Sequence, residues 1–179
     1  MLFDMSIPVT LAKGDRFHVE ALVNSETKKA IIRPTGFIDE NTDFDSLLEY
    51  ITKIAPGLQE MTFDLGHIDS LNSLGARAWL IFLEKAEALI PLKFEKVSEV
   101  LVDLAGIVPN VLGTAKVSLC SFCAPYYCPK CDRRTVQILT PSAIHREKGA
   151  FTPPAFTCNE CKSELEFDGH PDEYFGFLK

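Results

Sequence analysis

All six cysteines of this 179-residue chain lie between Cys120 and Cys161, and the first 119 residues contain none. They form three C-x-x-C pairs, which are Cys120/Cys123, Cys128/Cys131 and Cys158/Cys161. A C-x-x-C turn directs two sulfurs and several backbone N–H groups toward one point, so two such turns can surround one metal ion with four thiolates. This change in composition predicts two domains, one over residues 1–123 and a smaller one over residues 124–179.

We predict that the second and third pairs hold one zinc ion through the thiolates of Cys128, Cys131, Cys158 and Cys161. The gap between these pairs exceeds the ~15–20 residues of many two-turn zinc sites, and its length allows strands to run out and return. Because four thiolates leave no open position for water, the zinc would be structural and not catalytic. The second domain is therefore predicted to be a small β-rich zinc ribbon with a C-terminal helical tail, whose aromatic side chains dock onto the ribbon or the first domain.

Cys120 and Cys123 allow other interpretations. Apolar and polar residues alternate around them as in a strand, in which both would be small, buried side chains at the end of the first domain. Redox-active pairs share the same C-x-x-C spacing. A metal site that joins Cys120 and Cys123 to the second pair is disfavoured, because it leaves little room for a turn and gives the third pair no partner.

The first 119 residues alternate between strand and helix patterns. Period-two alternation predicts strands over residues 17–23, 61–65 and 92–97. Apolar residues at helical spacing predict helices over residues 44–54 and 73–90. This order predicts an α/β domain with helices packed on a mixed sheet. The predicted buried side chains of the second helix are Ala76, Trp79, Leu80, Leu83, Ala86 and Ile90.

Two stretches of this domain carry a resemblance to a known family. Residues 35–39 (TGFID) precede the first predicted helix, and residues 63–77 (FDLGHIDSLNSLGAR) join a strand to the long second helix. In their order, and in the spacing from Asp64 to Gly75, they resemble the STAS family, named for sulfate transporters and anti-sigma-factor antagonists. The resemblance covers roughly residues 15–120 and implies a STAS-like mixed sheet. It also implies a non-enzymatic bacterial signalling protein whose partner is another protein, such as an anti-sigma kinase or a signalling complex.

In the antagonist branch of that family, a kinase phosphorylates a serine at the start of the long helix, and the resemblance assigns this position to Ser73. Asn72 stands where the family usually has aspartate. An alternative role for Ser73, or for Asn72, is to cap the helix, since both residue types are preferred N-caps. Ser70 is a weaker candidate for phosphorylation, because the resemblance places it in the loop before the helix.

The outer face of the long helix supplies candidate contacts with a protein partner. Projection at about 100° per residue places Arg77 and Ile81 opposite the predicted core stripe. Together with the turn before the helix, the candidate partner-binding residues are Ser70, Asn72, Arg77 and Ile81.

Charge and the remaining residue patterns bear on other classes of function. The net charge of −7 disfavours a protein that coats nucleic acid, and residues 124–179 carry seven basic and eight acidic side chains. Two alternatives are a nucleic-acid-binding accessory factor that acts through the ribbon and a small-ligand sensor on the STAS-like surface. An enzyme is not predicted, because no nucleophile lies beside a base in the sequence and we assign His67 and Asp69 to a solvated loop.

The sequence favours a cytoplasmic protein that does not insert into a membrane. Its start lacks a basic segment followed by a long apolar stretch, and its longest apolar run, residues 78–83, is too short to span a bilayer. In the cytosol thiols stay reduced, which favours metal ligation over disulfides.

Overall fold

A computed structural model describes residues 16–178 and the backbone of residues 7–9, and these form a mixed α/β structure. The strands of this described part are β1 Ile7–Val9, β2 Phe17–Asn24, β3 Lys29–Ile38, β4 Glu60–Asp64, β5 His67–Leu71, β6 Leu92–Glu95, β7 Val117–Leu119, β8 Phe122–Cys128, β9 Arg133–Leu139, β10 His145–Glu147, β11 Ala150–Thr152, β12 Phe156–Thr157 and β13 Glu164–Phe167. Its α-helices are α1 Phe44–Ile54, α2 Ser73–Glu87, α3 Glu99–Ala105 and α4 Pro171–Tyr174. Short 3-10 helices lie at Ala55–Gly57, Pro141–Ala143 and Phe175–Leu178.

The larger sheet has the strand order β1-β2-β3-β4-β6-β7, and β5 joins it by pairing with β3. Strands β1, β2 and β3 pair antiparallel, whereas the other pairs of this sheet are parallel. Parallel neighbours require a crossover connection, and α1, α2 and α3 lie within the connections that precede β4, β6 and β7. The predicted α/β class with a mixed sheet is therefore confirmed.

Two strands pair one after the other along the same edge of β3. Residues 29–32 pair with β4, and residues 35–38 pair with β5 after a register shift. Only Leu65 and Gly66 separate β4 from β5. The assignment of His67, Asp69 and Ser70 to a loop is wrong, because all three lie on β5, whose pairing with β3 comes from a distant part of the chain.

An aromatic cluster forms the centre of the core between the sheet and the two longer helices. Phe44 of α1 stacks on Phe82 of α2 with ring centroids 5.0 Å apart, and Trp79 contacts both rings. Phe63 of β4 meets Trp79 edge-on, and the indole N–H donates a hydrogen bond of 2.9 Å to the carbonyl of Val111. Each of these buried side chains contributes about 1.5–3 kcal/mol through its burial alone.

A row of ion pairs lies on the sheet face opposite α1 and α2. It joins side chains of β2, β3 and β4 to Lys96, the residue after β6. Arg33 lies between Glu20, at 3.2 Å, and Asp64, at 3.3 Å, and Lys96 approaches the same Asp64 oxygen at 2.9 Å. The Asp64 side chain is only 5% exposed, so its charge depends on these partners. Burial opposes its ionisation, but Lys96, the N–H of Gly66 and Arg33 together hold the pKa of Asp64 below its usual value.

The second, four-stranded sheet has the order β12-β13-β8-β9, and β10 and β11 form a separate hairpin. It continues from the first sheet, since Phe122, the first residue of β8, bridges to Val97. Phe175 after α4 meets Phe122 edge-on, and the Tyr174 hydroxyl donates a hydrogen bond of 2.7 Å to the carbonyl of Cys123. The aromatic residues of the C-terminal helical segment are therefore packed against the second sheet, as the sequence predicts.

Replacement of Gly75 by alanine should destabilise the protein by about 1–3 kcal/mol, a usual cost of overpacking a tight contact. A Cβ atom at Gly75 would lie 2.3 Å from the carbonyl oxygen of Ile38, so the start of α2 would have to move away from β3. Urea unfolding followed by circular dichroism measures the change. The matched control is Gly57→Ala, where an added Cβ meets no atom within 4 Å; equal stability of the two variants would contradict the prediction.

Replacement of Asp64 by asparagine should lower the free energy of unfolding by about 1 kcal/mol at neutral pH, since it removes charge-assisted hydrogen bonds to partly exposed partners. Because the folded-state pKa of Asp64 is depressed, its stabilisation is present above the unfolded value of 3.8 and disappears as the pH falls through the lower folded value. Urea unfolding of both proteins between neutral and acidic pH should show converging stabilities. A difference in stability between the two proteins that stays constant from neutral to acidic pH would contradict the prediction.

Candidate functional site

Two turns of the smaller sheet bring four cysteines together. Cys128 is the last residue of β8, and Cys131 lies in the turn that leads to β9. Cys158 follows β12, and Cys161 lies in the turn before β13. Because β8 and β13 are antiparallel neighbours, the two turns meet at one end of the sheet.

The four sulfurs are spaced for one tetrahedral metal ion. The Sγ atoms of Cys128 and Cys161 are 3.5 Å apart, those of Cys131 and Cys158 are 3.9 Å apart, and all four lie within 4.8 Å of one another. Sulfurs bound to a tetrahedral ion at about 2.3 Å lie about 3.8 Å from each other. Within the described residues, no other group of three or more histidine, cysteine, aspartate or glutamate side chains is placed to share an ion. The four cysteines can therefore bind one metal ion.

The two turns are built alike. The residue after each second cysteine has a left-handed backbone, with φ of 49° at Asp132 and 60° at Lys162. The Tyr127 hydroxyl donates a hydrogen bond of 2.6 Å to Asp132 and holds the first turn. An ion pair between Arg133 and Glu160 joins the first turn to the second. Side chains beside the cluster thus fix the turns relative to each other.

Hydrogen bonds favour the thiolate form at the second turn. The hydroxyl and the N–H of Ser163 lower the pKa of Cys161 to about 6, and the N–H groups of Cys161 and Glu160 lower the pKa of Cys158. The hydrogen bond between Cys131 and Cys161, together with burial, raises the pKa of Cys131 to about 12. Four thiolates this close repel one another, so full ionisation of the cluster requires a bound cation.

Cys120 and Cys123 lie outside this cluster. Their N–H groups donate hydrogen bonds of 2.8 Å to the carbonyls of Phe94 and Val97, which lie on the neighbouring segment of the same chain. Burial raises the pKa of Cys123. Both thiols are free and only half-buried in the region that joins the two sheets. The expectation that both side chains are buried is therefore wrong, and a redox role for the pair stays a prediction.

The start of α2 is capped by Asn72 and not by Ser73. The Asn72 side chain accepts a hydrogen bond of 2.7 Å from the N–H of Gly75 and donates one of 2.8 Å to Glu40. Ser73 is the first helical residue and is exposed. The capping alternative therefore applies to Asn72, and the Ser73 hydroxyl makes no hydrogen bond within the described residues.

An exposed row of side chains follows Ser73 along the outer face of α2. Arg77 and Ile81 lie on this face, as the helical projection predicts, and Ile81 is 46% exposed. Leu74, which sequence reasoning did not select, is 57% exposed and lies two turns before Ile81 on the same face. Its seven-residue spacing from Ile81 is the signal that identifies it. Ser70 is also exposed, but it lies on β5.

No family model matches this chain, and no curated protein is significantly similar to it in sequence. None of the helices in the described ranges is long and apolar enough to cross a membrane.

Replacement of both Cys158 and Cys161 by serine should abolish metal binding, because it removes half of the ligands. Native mass spectrometry should find one metal ion per chain in the parent protein and none in this variant. The matched control, Cys120→Ser with Cys123→Ser, removes two thiols outside the cluster and should keep the ion. Retention of the ion by the first variant would refute the assignment of ligands.

Proposed function

We propose that this chain is a non-enzymatic regulatory protein that binds another protein through the start of α2, and that its four clustered cysteines hold one structural zinc ion. The observation that carries the first part is the exposed row of Leu74, Arg77 and Ile81, which begins beside the exposed Ser73. The cysteine geometry supports the second part.

Zinc is the metal that best fits a set of four thiolates with tetrahedral spacing in a small β-rich unit. All four positions of the ion would be filled by protein, so it would activate no water and polarise no substrate. Its role would be to hold the two turns, and through them β8, β9 and β13, in one arrangement. Elemental analysis of the metal-loaded protein separates zinc from iron.

The proposed contact surface combines apolar and charged groups, and Glu84 of α2 and Asp45 of the adjoining groove are its acidic members. Leu74 and Ile81 are the exposed apolar residues of the row, and Arg77 and Lys85 flank them on the same helix. Beside Ile81, a groove of about 310 Å³ lies between α1 and α2, and Leu48 contributes to its wall. An apolar side chain of a partner could fill this groove while the basic residues pair with acidic groups around it.

Membership of the STAS family is part of this proposal. Strand β4 precedes the long helix α2 in the order that the resemblance implies, although strand β5 takes the place of the expected turn between them. The mixed sheet with helices in its crossovers supports the proposal. In that reading, the partner is an anti-sigma kinase or a related signalling complex. The STAS-like domain supplies the contact, and the zinc ribbon is a rigid extension of it.

Phosphorylation of Ser73 would act as a switch on this surface. A phosphate adds about −1.5 to −2 charges, and a helix N-terminus tolerates them because of its free N–H groups and its dipole. Burial of the same charges under a partner next to Leu74 would cost several kcal/mol. The modified protein would therefore stay folded and release its partner.

Ser73→Asp should reduce the recovery of the partner, because a carboxylate at this position mimics part of the phosphate charge. Affinity purification from the native cell, with the parent protein and the variant compared by quantitative mass spectrometry, measures the recovery. Ser25→Asp is the matched control, because it adds the same charge at an exposed position in the turn between β2 and β3.

Leu74→Ala and Ile81→Ala test the contact without a change of charge, and each should weaken partner binding by about 1–3 kcal/mol if it lies at the centre of the interface. Equal recovery of the same partners by the parent protein, Ser73→Asp and both alanine variants would rule out this surface.

A further inference from the structure

A second concave surface lies between α3 and the C-terminal part of the chain. It is a cleft of about 720 Å³, a size common among binding sites. Helix α3 forms one wall, and β8, β9 and the segment around α4 form the other. None of its lining residues belongs to α2 or to the groove beside Ile81, so this surface is separate from the one proposed above.

The cleft is lined by an excess of negative charge. Its acidic residues are Glu99, Asp103, Asp168, Asp172 and Glu173, and its only arginine is Arg134. Arg134 is already used within the protein, because it contacts Glu99 at 2.5 Å and Asp168 at 2.8 Å. Asp172 accepts a hydrogen bond of 2.7 Å from the N–H of Phe151.

Two carboxylates of the cleft, those of Asp103 and Glu173, make no hydrogen bond or ion pair within the described residues. Both side chains are exposed to solvent at the cleft. Both carboxylates can therefore accept hydrogen bonds from a cation that enters the cleft.

The spacing of the carboxylates argues against a single metal ion. Within the described part of the chain, only the cysteine cluster brings three potential ligands within reach of one ion. Carboxylates that are spread along a cleft instead match a ligand whose positive charges are also spread out, such as successive basic side chains.

An exposed apolar residue at the same cleft indicates that the ligand is not only charged. Ile107, which follows α3, lines the cleft and is 81% exposed, the highest value among the exposed large apolar side chains of the described chain. The buried Pro125 on the opposite side adds a second apolar surface. Contact with an apolar side chain would remove Ile107 from water, which a simple polyamine or a metal ion does less well.

We propose that this cleft binds an extended segment of a partner protein in which lysine or arginine side chains stand next to apolar ones. The basic groups pair with Asp103 and Glu173, and an apolar neighbour packs on Ile107. Because α3 forms one wall and the C-terminal segment the other, the bound segment contacts both parts of the chain at once. This interaction goes beyond the proposed function and does not depend on it.

The test uses the whole, metal-loaded chain labelled with ¹⁵N and titrated at low salt with a short acetylated peptide of alternating arginine and leucine. The amide signals of Gly106, Gly169 and Gly176, which line the cleft, should shift and saturate. The matched peptide of alternating glutamate and leucine should cause no shift there. Absence of saturation at concentrations of the basic peptide up to about 1 mM would overturn the proposal. A dissociation constant of about 1 mM corresponds to a binding free energy of only about −4 kcal/mol.

Two sets of variants separate docking from general attraction to an acidic protein. Asp103→Asn with Glu173→Gln should weaken binding about tenfold, whereas Glu26→Gln with Glu84→Gln, an equal change of charge at exposed remote sites, should weaken it less than twofold. Ile107→Ser should weaken binding about threefold with no change of charge. Equal effects of the two charge variants, or no effect of Ile107→Ser, would show that the peptide does not dock in the cleft.

Discussion

The pairing of β3 with its neighbours is the constraint on which most of this structure depends. It holds β2 on one side and both β4 and β5 on the other, so one strand of ten residues sets the register of three others. α1 begins after β3 ends, and the N-terminal turn of α2 packs on the last residue of β3 through Gly75. Displacement of β3 would therefore move both helices of the proposed contact surface together.

Much of this first unit can be predicted from local sequence patterns. Period-two alternation places β2, β4 and β6, and helical spacing places α1 and α2, because each pattern reflects burial of one face. Trp79 and Leu83 are buried as predicted, whereas Leu80 is only half-buried and Phe82 takes its place beside Phe44. The helical projection predicts which side of α2 faces the core. It does not predict how many residues on that side are buried, because this depends on how closely α1 packs.

Features that depend on distant parts of the chain could not be predicted in this way. The run from His67 to Leu71 is mostly polar and resembles a loop, and only hydrogen bonds to β3 make it a strand. Asn72 and Ser73 are equally suitable caps by residue type, and the position of the Gly75 N–H decides between them. The cysteine spacing indicated which four thiols lie together, but the position of Cys120 and Cys123 beside residues 94–97 depends on backbone hydrogen bonds to a distant part of the chain.

Strand β8 belongs to both halves of the molecule. Its first residue, Phe122, is bridged to Val97 beside the first sheet and packs on Phe175, and its last residue, Cys128, is a member of the thiol cluster. Seven residues of strand span only about 20 Å, and they form a continuous ladder with β9. A strand shared in this way leaves no irregular linker between the cysteine cluster and the bridge to Val97. Because opening of β8 would break contacts in both halves, we expect the two halves to lose their structure together.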